Sequence, residues 1–177
     1  MNIIDFSNYA VKQPDELLPE DSNCNKRRPV GCPQDAKKPK RPETSGLSLS
    51  NCELTCLTGL HQLINEAIWW PETLLYLDIS QNKISNLSGL EQLSDLKILY
   101  LHGNLIENVE KLQFLSTFQK LRTLTIHGNP LVLQKGFRFY VINLIPNLRT
   151  LDTAAITPSE RQTVQTKIKL NAVTLKK

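Results

Sequence analysis

Two histidines, His102 and His127, are the residues of this 177-residue chain whose type and spacing come nearest to chemistry. Each opens a His-Gly-Asn triplet, His102-Gly103-Asn104 and His127-Gly128-Asn129. If the triplets occupy one place in two adjacent strands, the imidazoles lie roughly 5 Å apart, close enough to share a metal ion. A zinc site wants three or four ligands. Asp78 and Asp152 fall at a different position of the surrounding pattern, so neither supplies an obvious third, and no metal is expected. The plain alternative is two polar side chains beside turn glycines. Enzyme motifs are absent: no glycine-rich phosphate loop, no H-E-x-x-H, no G-x-S-x-G and no paired-cysteine metal spacing. Neither catalytic residues nor a cofactor is expected.

The triplets sit inside a longer phrase, L-x-x-L-x-[LI]-x-x-N-x-[IL]. It reads Leu96, Leu99, Leu101, Asn104, Ile106, then Leu121, Leu124, Ile126, Asn129, Leu131. Leu74, Leu77, Ile79, Asn82 and Ile84 give a third full copy upstream. Degenerate copies flank these, Leu47, Leu49, Cys52 and Leu54 before them, and Leu148, Leu151, Asp152 and Ile156 after. This spacing is the leucine-rich-repeat pattern, which also permits Cys at the Asn position. Alternation puts the leucines of each short strand on one face. One strand cannot bury them alone, so the units must stack. The Asn amide can satisfy backbone groups where the chain leaves the strand. The fold expected is therefore α/β, a short leucine-rich-repeat solenoid with a curved parallel sheet and convex helices.

That fold sets what the strands present. The outward residues of the concave face are expected to be Tyr76, Asp78 and Ser80; Ile98, Tyr100 and His102; Thr123, Thr125 and His127; Thr150 and Asp152. Lys97, Arg122 and Arg149 form a basic flanking column. Aromatic anchors in a polar field suit a protein partner. The residues expected to bind it are Tyr76, Asp78, Lys97, Tyr100, His102, Arg122, Thr125, His127 and Arg149. A solvated strand face is the bland alternative.

Behind the strands, residues 55–70 carry Leu57, Leu60, Leu63, Ile64, Ala67 and Ile68 at helical spacing, stopped by Pro71. Trp69 and Trp70 cannot both point inward from that helix. Leu87, Leu90 and Leu93, then Val109, Leu112, Leu115 and Phe118, fill the convex layer in segments of one or two helical turns. Phe137, Tyr140, Val141 and Leu144 predict a helix over 134–144, before Pro146. Thr157-Pro158-Ser159-Glu160 is a capping box with Pro at N1, so a terminal helix from Pro158 to about Lys169 is expected to cover the open end.

Residues 1–43 hold six of the ten prolines and read as an extended or disordered arm. Its basic clusters are Lys26, Arg27, Arg28, Lys37, Lys38, Lys40 and Arg41; with Asp35 they give 24–42 a charge of +6 in a chain of net +4. Such an arm suits an acidic surface, whether tubulin, nucleic acid or an acidic protein. The division expected is 1–43 arm, 44–157 solenoid with cap, and 158–177 terminal helix and tail. No apolar run is long enough to span a bilayer, and the start lacks the features of a secretory signal. Reduced thiols are accordingly favoured over a Cys52–Cys56 disulfide.

Leu74–Asn82, Leu96–Asn104 and Leu121–Asn129 resemble the short repeats of the SDS22-like leucine-rich-repeat family. Gly128-Asn129-Pro130-Leu131, Phe137-Arg138, Pro146 to Asp152 and Ile156-Thr157 resemble its C-terminal cap. The resemblance covers about 44–165, and the basic arm has no counterpart in it. It implies a cytoplasmic, non-enzymatic protein linked to motile cilia, a structural adaptor of the axoneme with protein partners such as tubulin or other axonemal proteins. The rival is a soluble regulatory module, phosphatase-regulator-like or a motor assembly factor, binding one partner on its concave face. Nucleic acid is a weaker third option, because the repeats lack a basic aromatic platform.

Overall fold

The computed structural model describes residues 2–23 and 44–174. Seven strands form one sheet in chain order: β1 (Asn2–Asp5), β2 (Thr44–Ser48), β3 (Tyr76–Asp78), β4 (Ile98–Tyr100), β5 (Thr123–Thr125), β6 (Thr150–Leu151) and β7 (Ala154–Ala155). Neighbours are parallel except β6 and β7, which are antiparallel. The register aligns Ile4, Leu47, Leu77, Leu99, Leu124 and Leu151 in one row. Phe6, Leu49, Ile79, Leu101 and Ile126 follow two residues on, and both rows are buried. This is the period-two alternation of a strand, repeated once per rung. The short leucine-rich-repeat solenoid expected from the sequence is the fold observed.

Two columns hold the rungs at fixed offsets. Asn104 is the pattern for the first. Its Oδ1 accepts Ile84 N (3.1 Å), and its Nδ2 donates to the carbonyls of Ile79 (2.9 Å) and Leu101 (3.0 Å), joining adjacent rungs. Asn129 repeats the arrangement with Ile106, Leu101 and Ile126, and Asn82 does so with Cys52, Leu54, Leu49 and Ile79. At the degenerate position the Cys52 thiol donates to Phe6 O at 3.0 Å, a sulfur version of the same rung contact. In the second column, the residue just before each ladder position is left-handed: Asn8, Asn51, Gln81, Gly103 and Gly128, with φ between 54° and 71°. That conformation turns the chain off the sheet; Gly adopts it freely, and Asn tolerates it.

The first strand corrects the sequence reading. Residues 2–23, assigned there to the arm, belong to the solenoid. Ile4-Asp5-Phe6-Ser7-Asn8-Tyr9 is a rung equivalent to Leu47-Ser48-Leu49-Ser50-Asn51-Cys52, and Phe6 N and Asn8 N bond to Ser48 O and Ser50 O. Ile4, Phe6 and Leu17 are buried. The physical reason is the open edge of β2, whose Leu47 and Leu49 would otherwise face water. Short 3₁₀ turns at Pro14–Glu16 and Pro19–Asp21 carry the chain back, so that Asn23 N reaches Asp5 O (3.0 Å) and Tyr9 Oη donates to Asp21 O (2.6 Å). The prolines here shape turns rather than a free arm. The basic clusters at 26–41 lie outside the described residues, as do Cys24 and Cys32.

The convex layer is α1 (Leu60–Ala67), a 3₁₀ helix at Val109–Thr117, another at Pro130–Leu133, and α2 (Phe137–Leu144). α1 stops short of the tryptophans, so Trp69 and Trp70 lie beyond it, and both are half-buried. The terminal helix α3 (Pro158–Thr174) outruns its expected end. Its capping box is formed, with Thr157 N donating to Glu160 Oε2 (2.9 Å) and Glu160 N to Thr157 Oγ1 (3.2 Å). β7 borders the last parallel strand, while α3 leans on α2 through Arg138–Glu160 (2.7 Å) and Lys167 over the Phe139 ring (4.2 Å).

Candidate functional site

Register brings the expected concave residues together. Tyr76, Ile98, Thr123 and Thr150 form one column across β3–β6, and Asp78, Tyr100 and Thr125 the next. Side chains of the strands' outward faces thus run across the sheet as continuous rows. Tyr76 meets Tyr100 edge to face with ring centroids 5.4 Å apart, and Tyr100 meets His102 at 6.1 Å. His102 and His127 stack at 4.8 Å with planes 10° apart. Four rings from three rungs make one surface.

The polar groups of this row are largely spoken for. Asp78 accepts Tyr76 Oη (3.2 Å), Ser80 N (2.9 Å) and Ser80 Oγ (2.6 Å). Burial and then Asp78 push the Tyr76 phenol far above its ordinary range. Ser80 is itself buried, so it presents nothing to a partner. His102 Nδ1 and Thr125 Oγ1 lie 2.9 Å apart. Burial, followed by the neighbouring His127, lowers the His102 pKa below 6.5. Asp152 Oδ1 accepts three N–H groups, Ile126 N (2.6 Å), His127 N (2.9 Å) and His127 Nδ1 (3.2 Å). A carboxylate acceptor puts a proton on His127 Nδ1. Asp78 and Asp152 therefore act as internal braces of the row, a role the sequence did not reveal.

Metal binding does not suit this geometry. The imidazoles are parallel, so their in-plane lone pairs run side by side instead of converging on one ion. Among the described residues no group of three or more His, Cys, Asp or Glu is placed to hold a metal. Nor is any helix among them long and apolar enough to cross a membrane.

The basic flank is present at the foot of the strands. Arg122 N and Thr123 N bond to Lys97 O (2.8 and 3.1 Å), and Arg149 N and Thr150 N bond to Arg122 O (2.8 and 3.0 Å), which sets the three basic residues on successive rungs. Lys97 and Arg149 are exposed. Arg122 is held, its Nη1 donating to the carbonyls of Gln119 (3.2 Å) and Asn147 (3.1 Å). Among the described residues none of the three has a carboxylate within ion-pair distance. Cys52 and Cys56 are free thiols directed at different partners, Phe6 O for the one, Gln13 and Thr58 for the other.

Comparison with known proteins agrees with this architecture. The profile of the family described as "Leucine-rich repeat" matches residues 49–175. Leucine-rich repeat-containing protein 51 of Rattus norvegicus is 30% identical over 169 residues, covering 95% of this chain and 85% of that protein. The Mus musculus counterpart is 31% identical, covering 92% and 82%. The match to the Homo sapiens protein covers 97% of this chain at 29% identity, so the similarity takes in the N-terminal segment that the sequence reading left outside it. Among solved structures, a chain in the crystal structure of the Drosophila melanogaster SNF/U2A' complex superposes with a TM-score of 0.56. It is 27% identical, over 70% of this chain and 67% of that one. Repeat phrase, ladder, profile and relatives agree, and the chain belongs to the leucine-rich repeat family.

Proposed function

We propose that this protein is a non-enzymatic adaptor whose concave face, Tyr76, Asp78, Lys97, Tyr100, His102, Arg122, Thr125, His127 and Arg149, binds another protein. One observation carries the reading: the aromatic row is braced by internal hydrogen bonds while the cations beside it have no carboxylate partner among the described residues. A preorganised aromatic surface with unspent charge loses little on docking and gains a complementary partner. A structural relative occurs in a solved SNF/U2A' complex, which supports an assembly role.

Its finer form is a component of the motile-cilium axoneme associated with doublet microtubules, with tubulin or other axonemal proteins as neighbours. The resemblance of the repeats and C-terminal cap to the SDS22-like family supports it. Lys26, Arg27, Arg28, Lys37, Lys38, Lys40 and Arg41 would add reach toward an acidic surface. Motile cilia extracted with detergent and then high salt test this, with the protein followed by mass spectrometry. Retention on salt-washed doublets is expected. Release with detergent, or absence from cilia, overturns the axonemal form and assigns a soluble regulatory module or motor assembly factor.

A further inference from the structure

We propose, resting on the adaptor reading, that the concave face takes an acidic stretch of protein laid across β4–β6. Its carboxylates would meet Lys97, Arg122 and Arg149, and its apolar side chains Ile98, Tyr100 and Tyr76. The sign of the charge follows from the hydrogen bonds. Across β3–β6 the acids of the row are Asp78 and Asp152, both occupied by groups of this chain, and Asp5, at the same register position on β1, accepts Ser7 N. Among the described residues the cations are not occupied by acids. Arg122 is fixed through Nη1 to backbone carbonyls, leaving the rest of its guanidinium fork to receive a carboxylate.

Spacing adds a second constraint. Parallel neighbours stand about 4.8 Å apart, so the backbone positions that carry the three cations span roughly 10 Å at intervals of about 5 Å. A segment bearing Glu or Asp at every third or fourth position of a helix repeats at nearly that interval, one turn of about 5.4 Å. A nucleic acid also carries closely spaced negative charge, but it needs open ring faces for its bases. Here the His102 and His127 faces are turned on each other and Tyr76 meets Tyr100 by its edge. The rings suit apolar side chains better than bases.

The test is fluorescence anisotropy of the full chain with a labelled peptide carrying Glu at every third or fourth position and Leu between. A counterpart with Gln for Glu and a single-stranded oligonucleotide serve as competitors. The Glu peptide is expected to bind at least about tenfold tighter than the Gln peptide, and to weaken as salt rises from about 0.05 to about 0.3 M. The Lys97→Glu/Arg149→Glu double variant is expected to lose about tenfold in affinity with its melting temperature unchanged, because both side chains are exposed. If that variant is poorly folded, Lys97→Gln/Arg149→Gln is used in its place. Unchanged binding by a folded variant overturns the proposal, since the peptide is then held elsewhere, residues 26–41 included. So does failure of the Glu peptide to bind, or an oligonucleotide that outcompetes it. Ciliary fractionation judges the axonemal form of the adaptor reading without using these side chains, so the two can fail separately.

Discussion

At the residue scale, the ladder asparagines do more for this fold than their number suggests. Asn104 is 2% exposed and closes three backbone hydrogen bonds across two rungs. Replacing it with Ala leaves buried backbone groups without partners, each worth about 1–3 kcal/mol when orphaned. Asn104→Ala is expected to cost about 2–4 kcal/mol in urea unfolding. Cys52→Ala removes a weaker sulfur donor at the equivalent position and should cost about 1 kcal/mol. Equal costs would mean that the ladder amide contributes nothing beyond its volume. His102 gives a pH dependence. Burial and His127 depress its folded pKa below 6.5, so the unfolded chain binds more protons as pH falls beneath that value. This site removes stability below pH 6.5 and is silent above it. NMR titration should place the His102 midpoint under 6.5, and His102→Gln should flatten the loss of melting temperature on acidification.

At the scale of elements, the C-terminal cap joins two helices through one carboxylate. Glu160 closes its own capping box and pairs with Arg138 on α2, and these contacts, Arg138 first, hold its carboxyl at about 2. A depressed folded pKa contributes stability that is present above the ordinary value near 4.5 and lost as pH falls toward 2. Glu160→Gln should therefore melt lower than the parent at neutral pH and lose less between pH 4.5 and 2, followed by circular dichroism. A parallel loss in both proteins would remove the carboxylate from the account. This cap was legible in the sequence because Thr157, Pro158 and Glu160 act over one turn. The convex layer was less so. Val109–Thr117 folds as 3₁₀ and α1 spans only eight residues, because the rung spacing, not helix propensity, fixes how much chain fits behind each strand. Of the candidate site, the column positions could be read from spacing. The bracing roles of Asp78 and Asp152 could not, since they depend on which atom each carboxylate faces.

At the scale of the molecule, the difference between reading and structure lies at the N-terminus. Ile4-Asp5-Phe6-Ser7-Asn8-Tyr9 shares Ser-Asn and its alternation with residues 47–52, yet it has neither leucine nor a ladder Asn, and proline density nearby points to an arm. What places it in the sheet is a long-range need: β2 has a bare edge unless another strand covers it. A stack whose rungs touch only their neighbours can lose an end without losing its middle. Leu99 lies in the middle and Phe6 at the end, and both are fully buried. Leu99→Ala is expected to cost about 2–5 kcal/mol and Phe6→Ala about 3–5 kcal/mol if each site is intact before unfolding. Leu99→Ala should lower the urea midpoint at constant m-value. Phe6→Ala should instead release the N-terminal rung first, which lowers m because less surface remains to be exposed, and should speed hydrogen exchange in residues 2–23 and 44–54 while sparing β5. An unchanged m-value with uniformly faster exchange would show the opposite. The first rung would then fold with the whole sheet, and the concave face would owe its rigidity to the N-terminus as much as to its own repeats.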